Sequence, residues 1–262
     1  MSMTIEKMVR RKLGQHFLID DSIAQREVDY AGLTKQDVVL EIGPGKGIIT
    51  RLLAQKAKQV IAIEIDPRLI PQLKESLPKN VNVINADVVA IDFSTLPRFT
   101  KIVSNLPFQI SSPITFKLLV YPFSKAILIY QKDFAERLVA APGTKEYSRL
   151  TIGVYYKAHC RILEQVPRNC FSPPPRVDSC IVELMPRGKP AFAVANEKFF
   201  FDLTRQLFNH RRKKIRNTIK SYYGDHLDLP YLDQRVEDLR PEQIGELSNL
   251  LWRVRYGNHL VS

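Results

Sequence analysis

Cysteine is scarce in this chain. Three occur in 262 residues, Cys160, Cys170 and Cys180, an odd number at ten-residue intervals with no Cys-x-x-Cys pair. A disulfide framework and a structural zinc site are therefore not expected. Small buried or half-buried thiols in a reducing cytoplasm are. No apolar run approaches the ~18 residues that a membrane span needs. The stretch from Met1 to Leu18 is basic and has no apolar segment, so no secretory signal is expected. Internal repeats and low-complexity tracts are absent. Acidic residues are in deficit, with 39 Lys+Arg against 27 Asp+Glu and a formal net charge of +12. The excess is spread along the chain, +7 up to Pro186 and +5 after it. Such a surplus favours polyanionic partners and says nothing about fold.

What is present is an alternating pattern. Strands are expected at 37–42, 59–64, 81–86, 101–104 and 126–130, with helical stretches at 47–57, 67–77 and 113–119. That alternation predicts a mostly parallel sheet with helices on both faces. Runs such as Ile61–Ile63 and Ile127–Ile129 suit strands buried on both sides. From Tyr155 the rhythm changes. Residues 159–166 and 179–185 read as two strands without a helix between them, placed as an antiparallel pair at one edge. Pro186–Pro190 reads as a linker. Beyond it, Asn196 can cap a helix, and further helices are expected at 212–223 and 241–255. The expected division is a catalytic α/β domain over 1–188 and a small all-α domain over 189–262.

Glu41-Ile-Gly-Pro-Gly-Lys-Gly47 lies between the first strand and its helix. Its G-x-G-x-G spacing departs from the G-x-G-x-x-G dinucleotide fingerprint and lacks the phosphate-cradling P-loop pattern. Glu64 ends the second strand, where a carboxylate can accept both hydroxyls of a ribose. Asp87 follows the third strand and can take an adenine amino group. Asn105-Leu106-Pro107-Phe108 closes the fourth. All four lie at carboxyl ends of strands, where open α/β sheets bind ligands.

The last loop suits a particular problem. An exocyclic adenine amine is a poor nucleophile, because its lone pair is delocalised into the ring. The Asn105 amide oxygen and a backbone carbonyl near Leu106 can hold its two N–H groups. The lone pair is then turned towards a sulfonium methyl group. Phe108 can stack on the base, a contact worth roughly 1–3 kcal/mol, and Pro107 stiffens the loop. Alignment carries the catalysis, so neither a general base nor a metal is required.

Lys12-Leu-Gly-Gln-His-Phe-Leu18, Glu41–Gly45, Ile63-Glu-Ile-Asp66, Ala86-Asp87, Asn105–Phe108 and Phe171-Ser-Pro-Pro-Pro-Arg-Val177 occur in this order. Over about residues 10–220 the chain resembles the small-subunit ribosomal RNA adenine N6-dimethyltransferases. That resemblance implies a Rossmann-like seven-stranded methyltransferase sheet and S-adenosylmethionine as methyl donor. It also implies dimethylation of two adjacent adenosines in the 3′-terminal hairpin of small-subunit ribosomal RNA, within a pre-small-subunit particle. It places Gln15, His16 and Leu18 at the methionine end of the cofactor. Gly43 and Gly45 form its loop, Glu64 holds the ribose and Asp87 the adenine, with Ile65 and Val88 among the cofactor contacts. Asn105 contacts cofactor and target amine. Phe108 stands where Tyr is commoner, and Phe171 covers the other face of the target base.

RNA contacts are expected from Lys7–Lys12 and from Arg205–Lys220, a stretch of 16 residues without an acid. Arg211, Arg212, Lys213 and Lys214 are its densest part. On a helix such like charges repel, and phosphates would compensate them. The expected protein is a cytoplasmic monomer without membrane contact, its two domains lining an RNA cleft. Two rivals share features with this reading: a large-subunit ribosomal RNA adenine methyltransferase, and a non-catalytic RNA-binding assembly or transcription factor. A nicotinamide dehydrogenase conflicts with the glycine spacing.

Overall fold

The computed structural model describes residues 15–224 and 227–257. The basic run at Lys7–Lys12 lies outside them. Packing divides the chain into two compact units. One holds the described residues up to Ala135 together with His159–Pro186; the other holds Glu136–Ala158 and the described residues from Arg187 onward. The linker at Pro186–Pro190 therefore coincides with one change of unit. Residues 136–158 join the later helices because Tyr147, Ile152 and Tyr156 share a core with Phe200, Leu203 and Leu207.

The first unit is built on a seven-stranded sheet. Its strands are β2 (Val38–Ile42), β3 (Gln59–Glu64), β4 (Val81–Asn85), β5 (Lys101–Asn105), β6 (Lys125–Gln131), β7 (Ala158–Val166) and β9 (Ser179–Pro186), in the order β4-β3-β2-β5-β6-β9-β7. From β4 through β6 neighbours run parallel, and β9 runs antiparallel to β6. A separate pair, β1 (Phe17–Leu18) and β8 (Phe171–Ser172), ties the start of the described chain to the Phe171 segment. Ile61, Ile127 and Ile129 are fully buried, as strands covered on both faces require.

The helices of this unit are α1 (Asp21–Tyr30), α2 (Ile48–Lys56), α3 (Ile70–Ser76), α4 (Ser111–Leu118) and the start of α5 (Lys132–Leu138). Asp20 caps α1 by accepting from the backbone N–H groups of Ser22 and Ile23 at 2.9 and 3.2 Å. The helix then buries Ile23, Ala24, Glu27 and Val28.

The sheet has its topological switch between β2 and β5. Their ladder pairs Val39 with Lys101 and Leu40 with Ile102. Two residues further on, the Ser104 hydroxyl donates to the Ile42 carbonyl at 2.6 Å in place of a backbone bond. The strands thus part at their carboxyl ends, where such sheets take a ligand.

The second unit packs α6 (Arg149–Lys157), α7 (Glu197–Asn209), α8 (Ile215–Tyr223) and α9 (Pro241–Tyr256) around Tyr147, Phe200, Leu203, Ile244 and Leu247. Asn196 caps α7 by accepting from Phe199 N–H at 2.9 Å. The Tyr147 hydroxyl donates to the Leu239 carbonyl at 2.7 Å, so a buried phenol is satisfied. One expectation needs correction. The helix anticipated from Arg212 begins at Ile215, after a turn at His210–Arg212 and an extended Lys214. Lys214 makes a bridge to Arg235, and Ile215 N–H donates to the Gln234 carbonyl at 2.9 Å. These bonds hold the chain extended just where a helix would need it curled.

Among the described residues, no helix is long and apolar enough to cross a membrane.

Candidate active site

One cavity lies at the parted strand ends, and within the first unit it collects nearly every expected site residue. Its wall includes Gln15, His16, Leu18, Gly43, Gly45, Glu64, Ile65, Asp87, Val88 and the whole Asn105–Phe108 loop.

The glycine loop takes its shape from three left-handed residues, Gly43, Gly45 and Gly47, with φ of 70°, 57° and 79°. An L-side chain in that region costs about 1–2 kcal/mol. Space forbids one as well. A Cβ on Gly45 would lie 2.8 Å from the Phe17 ring, and one on Gly43 would lie 3.3 Å from Pro107 Cγ. The N-terminal segment and the Asn-Leu-Pro-Phe loop thus press on the glycine loop from two directions.

Glu64 is 3% exposed. Its two carboxylate oxygens accept from Gly45 N–H at 3.2 Å and Asp66 N–H at 2.9 Å. Burial raises its pKa, and these two bonds work against the rise. Each oxygen keeps a lone pair for a further donor. Beside it, Ile65 leaves 48% of its surface bare, an apolar face lying against the cavity. Asp87 uses one oxygen to accept from Val89 N–H at 2.8 Å, fixing its own turn.

Asn105 ends β5. Its side-chain N–H donates to the His16 carbonyl at 3.2 Å, while its Oδ1 is buried without a partner. An orphaned buried acceptor is costly unless something donates to it. Leu106 is 1% exposed and anchors the loop. Phe108 stacks on His16, ring centroids 5.6 Å apart and planes 28° from parallel. His16 Nδ1 also bonds the Pro173 carbonyl at 2.7 Å. His16 therefore joins three motifs that sequence reading treats separately. Its contact with Phe108 carries no signal in the sequence, since the two residues lie far apart in the chain.

Phe171 does not reach the cavity wall. It is 2% exposed and packs in the sheet core with Leu18 and Ile23. Its backbone pairing with Leu18 supports the Gln15–Leu18 segment from behind. Arg211 belongs to the second unit, and its guanidinium donates to Glu237 at 2.7 Å and to the carbonyls of Lys145 and Thr144. Lys214 and Arg216 both pair with Asp233, and Arg205 pairs with Asp202. The protein's own acids thus supply much of the compensation expected from phosphates. Arg212 and Lys213 are exposed and pair with no carboxylate among the described residues.

Beneath the loop lie two carboxyls that sequence reading left without a role. Glu41 is 1% exposed, and Glu27, from α1, is 0% exposed. Both Glu27 oxygens and Glu41 Oε2 lack hydrogen-bond partners. Burial pushes Glu41 up to about 8, with the Glu64 charge adding and Arg51 opposing. Burial, with Glu41 close by, pushes Glu27 well above the usual carboxylate range.

A doubly wound sheet, three left-handed glycines, a buried carboxyl ending the second strand of the sheet and an orphaned amide acceptor ending the fourth fit a nucleoside-cofactor methyltransferase. The family model described as "Ribosomal RNA adenine dimethylase" matches residues 6–252, and the chain belongs to that family. A protein of Methanosarcina acetivorans named "Probable ribosomal RNA small subunit methyltransferase A" is 44% identical over 255 residues, covering 92% of this chain and 93% of its own. The crystal structure of a dimethyladenosine transferase from Plasmodium falciparum superposes with a TM-score of 0.78 at 30% identity, covering 92% of this chain and 98% of its own. That of the 23S rRNA methyltransferase ErmE gives 0.69 at 30%, covering 90% and 99%.

Gly45→Ala is expected to weaken S-adenosylmethionine binding by about tenfold or more, through left-handed strain and the Phe17 contact. Isothermal titration checks this, and wild-type affinity would refute it. The buried carboxyls set a pH dependence. An acid whose folded pKa is raised stabilises least once the unfolded form ionises, so the melting temperature should fall as pH rises from the ordinary 4.5 through about 8. Glu27→Gln removes one such group and should flatten that fall in thermal melts. An unchanged slope would mean that Glu27 does not hold its proton in the fold.

Proposed function

We propose that this chain transfers methyl groups from S-adenosylmethionine to N6 of two adjacent adenosines in the 3′-terminal hairpin of small-subunit ribosomal RNA. It does so as a cytoplasmic monomer acting on a pre-small-subunit particle. The observation that carries the reading is Asn105 Oδ1, a buried acceptor without a donor at the parted end of β2 and β5. An adenine amine is a donor of the right kind, presented at the right depth.

When bound, S-adenosylmethionine supplies a methyl group activated by its sulfonium charge. The residues of the chain bind and align. Gly43 and Gly45 let backbone come close to the cofactor, and Glu64 takes the ribose hydroxyls. Ile65 and Val88 give the adenine apolar surface, and Asp87 accepts from its amino group. Gln15, His16 and Leu18 border the methionine end. Asn105 Oδ1 accepts one N–H of the target amine, and the Leu106 carbonyl the other. With both N–H groups held in the first transfer, and the one that remains held in the second, the nitrogen lone pair faces the place where the cofactor's methyl group would lie. Bound S-adenosylmethionine would give up its methyl group to that nitrogen and depart as the neutral thioether, and the proton lost from the nitrogen would pass to water. Pro107 keeps the loop rigid. Phe108 offers one face to the target base, because His16 covers the other. A target base must leave its stack to reach this depth, which favours an exposed hairpin adenosine.

The small-subunit assignment is supported by the relative named for that subunit at 44% identity, against 30% for the 23S methyltransferase. The deciding experiment incubates the protein with labelled S-adenosylmethionine and either unmethylated small subunits or large subunits, then maps the modified nucleotides. Label in the 3′-terminal hairpin of the small subunit is expected, and label confined to the large subunit would refute the assignment. In the same assay, Asn105→Ala should abolish transfer while RNA affinity stays within about twofold. An equal loss of binding would deny Asn105 its role at the reacting amine.

Phosphate contacts fall to Arg212 and Lys213. Changing both to Ala should lower the salt slope of RNA binding by about one to two. An unchanged slope would place the RNA elsewhere.

A further inference from the structure

The second unit carries a row of rings at the edge of its core, in which Phe199, Tyr223 and Trp252 are half-buried and Tyr222 and Tyr256 are exposed. Tyr222 and Tyr223 end α8, Trp252 and Tyr256 lie on the last turns of α9, and Phe199 comes from α7. The Trp252 and Tyr256 rings lie 4.3 Å apart with their planes tilted by 38°. Phe199 meets Trp252 at 5.3 Å and Tyr223 at 5.8 Å, edge to face. Tyr222 continues the row, 6.4 Å from Tyr223. Tyr222 keeps 43% of its surface exposed and Tyr256 37%. The Arg255 guanidinium lies over Tyr223 at 5.2 Å and over Tyr256 at 5.8 Å.

Two features separate this surface from ordinary packing. Arg253 and Arg255 are exposed and pair with no carboxylate among the described residues, although Arg205, Arg211, Lys214 and Arg216 of the same unit are all paired. The Arg255 guanidinium also lies over two rings, so a charge that attracts an anion sits directly beside aromatic surface. Solvated tyrosines beside an unneutralised guanidinium match a partner that alternates flat rings with negative charge. A protein helix offers no such alternation, whereas a single strand of RNA does.

We propose that this face of α8 and α9 binds unpaired nucleotides, with bases on the Tyr256 and Tyr222 rings and phosphates on Arg253 and Arg255. The proposal rests on the reading of the chain as an RNA enzyme and adds a second grip remote in sequence from Arg212 and Lys213.

The test measures fluorescence anisotropy of the full chain with an unstructured ribo-oligonucleotide and with an abasic oligomer of equal length. Tyr256→Ala should weaken the base-bearing oligomer about five- to tenfold, as loss of one stacked base implies, and change the abasic one less than about twofold. Tyr256→Phe should bind as wild type. Arg255→Gln should weaken both and lower the salt slope by about one. Unchanged affinity of Tyr256→Ala for the base-bearing oligomer, or equal loss on both, overturns the proposal. So does displacement of the oligomer by polyglutamate of equal charge, which would mark an acidic-protein surface. If thermal melts show Tyr256→Ala to be unfolded, Tyr222→Ala on the neighbouring helix is judged by the same criteria. Wild-type methyl transfer to small subunits is measured alongside. Its absence with oligomer discrimination intact overturns the enzymatic reading and leaves this surface standing.

Discussion

The crevice depends on backbone that comes closer to its neighbours than any side chain would permit. At Gly45 the Phe17 ring occupies the place of a Cβ, and at Gly43 the edge of Pro107 nearly does. Those two contacts set the distance between the N-terminal segment, the glycine loop and the Asn105 loop. Once they are set, Gly45 N–H reaches Glu64, and Asn105 reaches the His16 carbonyl. A methyl transfer that relies on alignment needs this kind of fixed spacing more than it needs reactive groups. The absence of a positioned general base in the Asn105–Phe108 loop is then no deficiency.

Much of the sheet is legible in the sequence, because strands buried on both faces read as short apolar runs between polar breaks. The strands from β2 through β6 fall within a residue or so of expectation for that reason. Three helices are not anticipated. α1 carries charges on most turns and buries one of them, Glu27, so its apolar face looks broken. α6 reads Arg-Leu-Thr-Ile-Gly-Val-Tyr-Tyr-Lys, rich in residues that favour strands, and tertiary packing overrides that preference. α5 is a short charged segment. The two-residue strands β1 and β8 are too brief for any periodicity, although they position His16.

At the site, residues at strand ends can be found from spacing alone, and Gly43, Gly45, Glu64, Asp87 and Asn105 do meet in one cavity. Pairings between distant segments cannot. The basic stretch from Arg205 looks uniform in the sequence, yet Asp233 and Glu237, which lie later in the chain, neutralise parts of it. Phe171 misleads in the opposite way. Its motif suggests an exposed platform, but the ring is core, and the contribution visible in the fold is a strand partner for Leu18.

The two buried carboxyls alter the meaning of the net charge. The formal +12 counts every acid as ionised. Glu27 and Glu41 keep protons well above the ordinary carboxylate range, so the folded chain is more cationic at neutral pH than its composition states. Unfolding exposes both groups to water and frees those protons into the buffer. The heat of unfolding will therefore contain a contribution from buffer protonation, and its size will differ between phosphate and Tris solutions at the same pH. Part of the attraction for a polyanion is thus acquired only on folding, by withholding negative charge in the interior rather than by adding positive charge outside.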